Sequence, residues 1–183
     1  MKTQLIILFA LIAIAFSSCN LNGSSNYTPQ ILFVNNPFTN KSDTLSSYLT
    51  DDGVYHLDTI TVGDTVTFRI LLYGYTNNLV SFNIVQSDTS STKILLPPKT
   101  SLDSVFLSTS SNYLIGNFIF KTKLSSLYMP IKYVAKKANN DAKLSFYLSS
   151  DANFNNTGSL GNNSVSFIFS TPIKLPAVSQ KVK

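Results

Sequence analysis

An all-β fold, an antiparallel β-sandwich of immunoglobulin-like type, is what this sequence predicts, with a jelly roll or small barrel as the alternative. Three observations lead there. Short segments alternate apolar and polar residues with a period of two. Turn signals recur about every 8–12 residues. Helix formers are scarce: the 183 residues contain no glutamate, but 13 Phe and 9 Tyr, a composition that suits strands.

In chain order, Gln30–Asn35 is a short apolar run stopped before Asn36-Pro37, where the residue ahead of proline is pushed to extended backbone. Phe38–Thr50 is polar and loop-like. Asp51-Asp52-Gly53 marks a turn into a strand over Val54–Val62, and Gly63-Asp64 a second turn. After it, Val66, Phe68, Ile70 and Leu72 share one face, with Thr65, Thr67, Arg69 and Tyr73 on the other. Asn77-Asn78 then turns the chain into Val80, Phe82 and Ile84, which reads as the return strand of a loose hairpin. Lys93–Leu96, closed by Pro97-Pro98, suits an edge strand. Leu102–Leu107 and Tyr113–Lys121 are further strand candidates, and Gly116 within the second implies a bulge or a close approach. Pro130 argues for an edge position or a strand start in Tyr128–Ala135. Leu144, Phe146 and Leu148 alternate cleanly, and so do Val165, Phe167 and Phe169. The long Asn/Gly-rich loop 151–163 separates these two strands, and Pro172 and Pro176 close the domain. Eight to ten strands and no amphipathic helix are expected, in one domain over residues 29–176 with a tail at 177–183.

The first residues carry a different signal. Lys2 precedes the apolar run Leu5–Phe16, 12 residues long, whereas crossing a bilayer as a helix takes about 20. This is the length of a signal-peptide core, with Lys2 as its charged head. The run ends in Phe16-Ser17-Ser18-Cys19, which resembles a bacterial lipobox. The resemblance implies removal of residues 1–18, acylation of Cys19, and anchoring by several lipid chains. Residues 19–28 then form a lipidated, flexible Ser/Asn-rich tether with a reach of about 15–18 Å.

Composition bounds the rest. Without residues 1–18 the chain keeps 13 basic and 9 acidic side chains, a net charge of +4. Its lysines are dispersed and Arg69 is the sole arginine, so nucleic acid is not an expected partner. Cys19 is the only cysteine, which excludes an internal disulfide, a thiolate metal site and a cysteine nucleophile. His56 is the only histidine. It could be written into a Ser-His-Asp set with Ser46 or Ser47, but a half-exposed strand residue is the plainer reading. Asp51-Asp52 fits a turn better than a carboxylate pair. No catalytic residues and no cofactor are assigned.

Asp151-Ala-Asn153-Phe-Asn155 has the opening spacing of a calcium loop, yet position six is Asn156 and position twelve Asn162. It marks at most a weak metal candidate beside an ordinary surface loop. Thr44, Thr59, Thr65 and Ser104 each sit between an aspartate and an aliphatic residue. This arrangement resembles the O-glycosylation motif of exported Bacteroidota proteins, and is also how a strand starts after a turn. Tyr73, Tyr75, Tyr113, Tyr128, Tyr133 and Tyr147 offer a possible aromatic platform. The lipobox, tether and single β domain together resemble the small lipoproteins of Bacteroidota. That resemblance implies an outer-membrane anchor, on the periplasmic face because Asn20 follows the cysteine with no acidic residue near it. The expected role is a non-enzymatic binding or assembly module for an envelope protein or glycan. The alternatives are an envelope glycan or lipid hydrolase and a pilus-like surface subunit.

Overall fold

The computed structural model describes residues 26–121, 123–154 and 161–177. The expected signal peptide, Cys19 and most of the tether lie outside these residues, as do Asn155 and residues 178–183. Two β-sheets face each other. One has five strands in the order β1 (Gln30–Phe33), β6 (Thr65–Tyr73), β10 (Ser126–Ala135) and β8 (Thr92–Leu95), with β2 (Phe38–Thr39) also on β6. The other has seven: β3 (Ser47–Leu49), β4 (Val54–Leu57), β12 (Ser164–Lys174), β11 (Asn139–Ser150), β7 (Leu79–Gln86) and β9 (Asn117–Ile119), with β5 (Ile60–Thr61) also on β12. The two separate sheets make a sandwich and not a closed barrel. One feature departs from the antiparallel expectation: β4 and β5 run parallel to β12.

Alternation places the core where the sequence indicates. Val66, Phe68, Ile70 and Leu72 on β6 are fully buried, as are Phe146 and Leu148 on β11. Phe68 of the five-stranded sheet meets Phe146 and Phe169 of the seven-stranded one, with ring centroids 5.6 and 5.1 Å apart. Phe33 adds edge contacts to all three rings. A buried polar link crosses nearby, where the Tyr133 hydroxyl donates to Thr171 Oγ1 at 2.9 Å.

Several local expectations are corrected. β6 and β7 are not a hairpin, because β6 pairs with β1, β2 and β10 whereas β7 pairs with β11 and β9. The Asn77-Asn78 turn carries the chain from one sheet to the other. At the start of β7 the register against β11 slips between Ser149 and Ser150. Leu79 is thereby buried in place of Val80, which is 44% exposed. The expected loop Phe38–Thr50 holds β2 and β3, and the expected strand Val54–Val62 divides into β4 and β5. Leu102–Leu107 is largely helix α1 (Lys99–Val105), entered from Pro98. Proline suits a helix start, and Leu102 and Phe106, four apart, are both buried.

Pro130 lies in a strand with neighbours on both sides, yet β8 covers only Lys132–Ala135 of it. The Arg69 carbonyl accepts from Val34, away from β10, so Pro130 opposite Arg69 is a non-hydrogen-bonded pair. Its nitrogen thus faces the stretch that β8 leaves bare, and no donor is missed. β12 also continues through Pro172 to Lys174, passing it where the register with β11 shifts between Asn139 and Ala142.

The ring cluster makes a direct prediction. Phe68→Ala removes a fully buried ring that touches both sheets and should cost about 3–5 kcal/mol. The expected readout is a lower urea midpoint with an unchanged slope. A loss under about 1 kcal/mol would place the inter-sheet stabilisation elsewhere.

Candidate functional site

A cleft of about 910 Å³ on one side of the sandwich has the dimensions of a binding site. It opens between the last residues of β7 on one sheet and the edge strand β8 on the other. Helix α1 and a 3-10 turn at Tyr113–Ile115 wall it. Sequence shapes each part. Pro97-Pro98 ends β8 and starts α1, whose Leu102 anchors the helix to the core. The Asn112 side chain accepts from the Leu114 amide at 3.2 Å and caps the 3-10 turn. Gly116 ends that turn with φ +73°, and its carbonyl accepts from the Ile84 amide at 2.8 Å. A Cβ at Gly116 would lie 2.2 Å from the Ile84 carbonyl oxygen, the close approach that the sequence implied.

The floor is apolar, with buried Ile84 and Leu102 and half-buried Ile94, Leu96 and Tyr113. On the lip, Leu114 is 98% and Ile115 68% exposed. Lys93, Lys99 and Lys136 line the cleft, and no carboxylate does. On the helix wall, Asp103 pairs with Lys99 at 2.5 Å and accepts from the Tyr113 hydroxyl at 2.9 Å. Lys99, then Tyr113, holds the Asp103 carboxyl below its usual range. Burial, then that same hydrogen bond, pushes the Tyr113 phenol up to about 12. At the far end the Gln86 amide donates to Thr92 Oγ1 at 2.7 Å, joining the two sheets beneath the cleft. Lys136 Nζ reaches the Thr89 carbonyl at 3.2 Å. Asp88 accepts from Ser91, Ser90 and Asn139, and the two serines hold it well below the usual carboxylate range.

The residues singled out in the sequence lie elsewhere. His56, half-buried on β4, stacks on Tyr48 at 5.3 Å. Among the described residues neither Ser46 nor Ser47 hydrogen-bonds to it; the Ser46 amide donates instead to Asp58. Asp52 bonds Thr50 and Val54 within its turn. Both carboxylate oxygens of Asp151 accept from Asn78, one from its amide and one from its side chain, each at 2.7 Å. The Asn153 carbonyl accepts from Asn26. Asp151 and Asn153 thus serve a turn and the entering chain, while Asn155 is outside the described residues. Among the described residues no three His, Cys, Asp or Glu side chains form a metal-sized group.

In the four aspartate–hydroxyl–aliphatic segments the aliphatic residue packs into the core. Leu45, Ile60 and Val66 are buried and Val105 is half-buried. Thr44, Thr59 and Ser104 are exposed, and Thr65 is half-buried. Of their aspartates, Asp103 lies in helix α1, whereas Asp64, buried at a turn, accepts from the Thr61 amide at 2.9 Å and pairs with Lys41 at 2.6 Å. The six tyrosines form no single platform. Tyr133 is buried in the core, Tyr113 walls the cleft, and Tyr128 and Tyr147 are exposed on different sheets. Tyr73 and Tyr75 pack together, and Tyr27, which the sequence did not single out, packs on Tyr75 at 4.9 Å.

No protein-family model matches the chain, and no curated protein does. Among solved structures it is similar to the C-terminal domain of the antigen I/II-family protein AspA of Streptococcus pyogenes. Identity there is 14% and the TM-score 0.38, over 79% of this chain and 46% of that one. It is also similar to the C-terminal domain of the antigen I/II polypeptide BspA of Streptococcus agalactiae, at 12% and 0.35, over 79% and 50%. A third is the secreted serine protease VesC of Vibrio cholerae, at 12% and 0.35, over 70% and 23%. The chain thus spans half or less of the length of these structures. Likenesses this distant carry nothing about ligand or activity.

Two predictions come from this geometry. Gly116→Ala should cost more than the 1–2 kcal/mol of a left-handed alanine, because its Cβ also meets the Ile84 carbonyl; a urea midpoint within error of the parent would refute the close contact. Burial pushes the Asp64 carboxyl up, but Lys41 and the Thr61 amide outweigh it, so its pKa is lowered overall. A depressed carboxylate stabilises above its unfolded pKa of about 3.9, and that stability is lost as pH falls through the folded value. Asp64→Asn should therefore lower the urea midpoint at pH 7, with the difference from the parent shrinking towards pH 2. A difference independent of pH would contradict the assignment.

Proposed function

We propose that this protein is a lipid-anchored, non-enzymatic binding module of the bacterial cell envelope, with the cleft between β7 and β8 as its contact surface. The observation that carries this reading is the cleft itself, with its apolar floor, exposed Leu114 and Ile115, and lysine rim on a rigid β framework. Such a volume falls in the ordinary range of ligand sites, and Leu114 projects as an apolar anchor from a capped turn. Anchoring rests on Lys2, the apolar run and Phe16-Ser17-Ser18-Cys19. On the same resemblance the anchor holds the domain at the periplasmic face of the outer membrane.

A photo-crosslinking residue at position 114 should trap a defined envelope partner in cells, whereas one at Tyr147, on the outer surface of the seven-stranded sheet, should not. Leu114→Asp should abolish a crosslink placed at Ile115. Cys19→Ala should move the protein from the membrane to the soluble fraction. Equal trapping from positions 114 and 147, or membrane retention of Cys19→Ala after a salt wash, would overturn the corresponding half of the proposal.

A further inference from the structure

The cleft carries more than shape, because two sheet edges turn unpaired peptide groups into it. On β8 the register sets Leu95 opposite Lys132, Ile94 opposite Tyr133 and Lys93 opposite Val134. One step further on, the Lys136 amide donates to the Ser91 carbonyl at 2.7 Å. Antiparallel pairs alternate between hydrogen-bonded and open. Lys93 and Leu95 therefore bond β10, and the N–H and C=O of Ile94 point away from it. On β7 the Ile84 amide bonds Gly116, away from β11. Two residues on, Gln86 accordingly directs its own N–H and C=O outward, into the cleft. Register thus turns the peptide groups of Ile94 and Gln86 away from their partner strands, and no turn or loop bond among the described residues reaches them. On β8 the Thr92 amide already donates to the Asp88 carbonyl at 3.3 Å, so Ile94 is the residue that offers both a donor and an acceptor along this edge, beside an apolar trough.

We propose, building on the cleft as the contact surface, that it takes an extended peptide segment as an added strand along β8. The added strand exchanges hydrogen bonds with Ile94 and carries alternating apolar and acidic side chains. Alternation follows from strand geometry, in which successive side chains face opposite ways. One set rests on the floor of Ile84, Leu96, Leu102 and Tyr113. The other meets the lysine rim, which the lining leaves without a carboxylate. Of the rim cations, Lys99 is already paired with Asp103, so Lys93 and Lys136 supply the unneutralised charge. The edge runs from Thr92 to Leu95 and stops at Pro97-Pro98. It therefore accommodates about five residues, or some 17 Å of strand. The outward peptide group of Ile94 above an apolar floor favours a peptide over an anionic glycan, which would use the lysines but has no need of the edge.

The test uses the full chain purified in detergent and a fluorescent ten-residue peptide of alternating Val and Asp. Its binding is followed by anisotropy at low and high salt, with polygalacturonate as the glycan probe. The peptide should bind, and N-methylation of alternate amides on the edge that pairs with β8 should weaken it at least tenfold. Ile94→Pro removes a donor that β10 does not use, at an edge where proline is tolerated, and Ile94→Ala controls for the half-buried side chain that is lost with it. Both should stay folded with a lowered melting temperature, and Ile94→Pro should lose at least tenfold more affinity than Ile94→Ala. The double variant Lys93→Asp, Lys136→Asp should lose a similar factor at low salt and less at high salt.

If Ile94→Pro fails to fold, the N-methylated peptide still decides. Binding indifferent to both changes, no binding at millimolar peptide, or polygalacturonate binding that competes with the peptide and ignores Ile94→Pro, each overturns the added strand. Were Leu114 crosslinking to persist in those cases, the binding module would stand and only its mode would fall.

Discussion

Everything in this sandwich hangs on aromatic rings that meet across the gap between two sheets. With Cys19 the only cysteine, no disulfide can tie one sheet to the other. Phe68, Phe146, Phe169 and Phe33 do that work by dispersion and burial, in the tilted and edge-on arrangements that ring quadrupoles prefer. Their alignment requires that β6 and β11 keep their inward faces in register. A slip of one residue would turn each set of rings to solvent. The bulge at Leu79 shows the same demand from the other side, since the chain gives up ladder regularity to keep a leucine in the core.

Strands that obey one rule along their whole length were legible. The period of two over Thr65–Tyr73 and Lys143–Ser149 picked out Val66, Phe68, Ile70, Leu72, Leu144, Phe146 and Leu148, whose face is buried throughout. Thr67, on the opposite face, is buried as well. Sheet membership was not legible. Val66–Leu72 and Phe82–Ile84 look like hairpin partners, and nothing local states that Asn77-Asn78 passes the chain between layers. Helix α1 was missed because Leu102, Val105, Phe106 and Leu107 form an apolar cluster that suits either structure. Its signal, a proline pair followed by Leu102 and Phe106 four apart, was present but short. The cleft was unreadable for a deeper reason: Ile84, Ile94, Leu102 and Tyr113 come from four separate elements, and only tertiary packing brings them together.

Aspartate, the only acid in this chain, is used mainly as a backbone ligand. Asp52, Asp58, Asp64, Asp88 and Asp151 each accept hydrogen bonds from main-chain amides at turns, the use for which a short carboxylate is suited. The segments that resemble a modification motif thus have a structural role as well. Asp43, Asp58 and Asp64 hold turn or loop segments, Asp103 pairs with Lys99 within helix α1, and the aliphatic residue of each segment packs on the core. No carboxylate lines the cleft, Asp103 pairs with Lys99 on its helix wall, and Lys93 and Lys136 stand at its rim.

The N-terminal end of the domain is pinned. Asn26 bonds Asn77 and Asn153, the Tyr27 amide donates to Asn77, and Thr28 accepts from Asn162. All of these partners lie at the end of the sandwich where β6 finishes and β10 starts. Lys136 and Thr89 lie at the other end, one ten-residue strand away, or about 30 Å. For a chain held through its first residues, this gives the molecule a base and a tip. Were the chain anchored at that base, as proposed above, the lysine-rimmed mouth would be carried away from the surface that holds it.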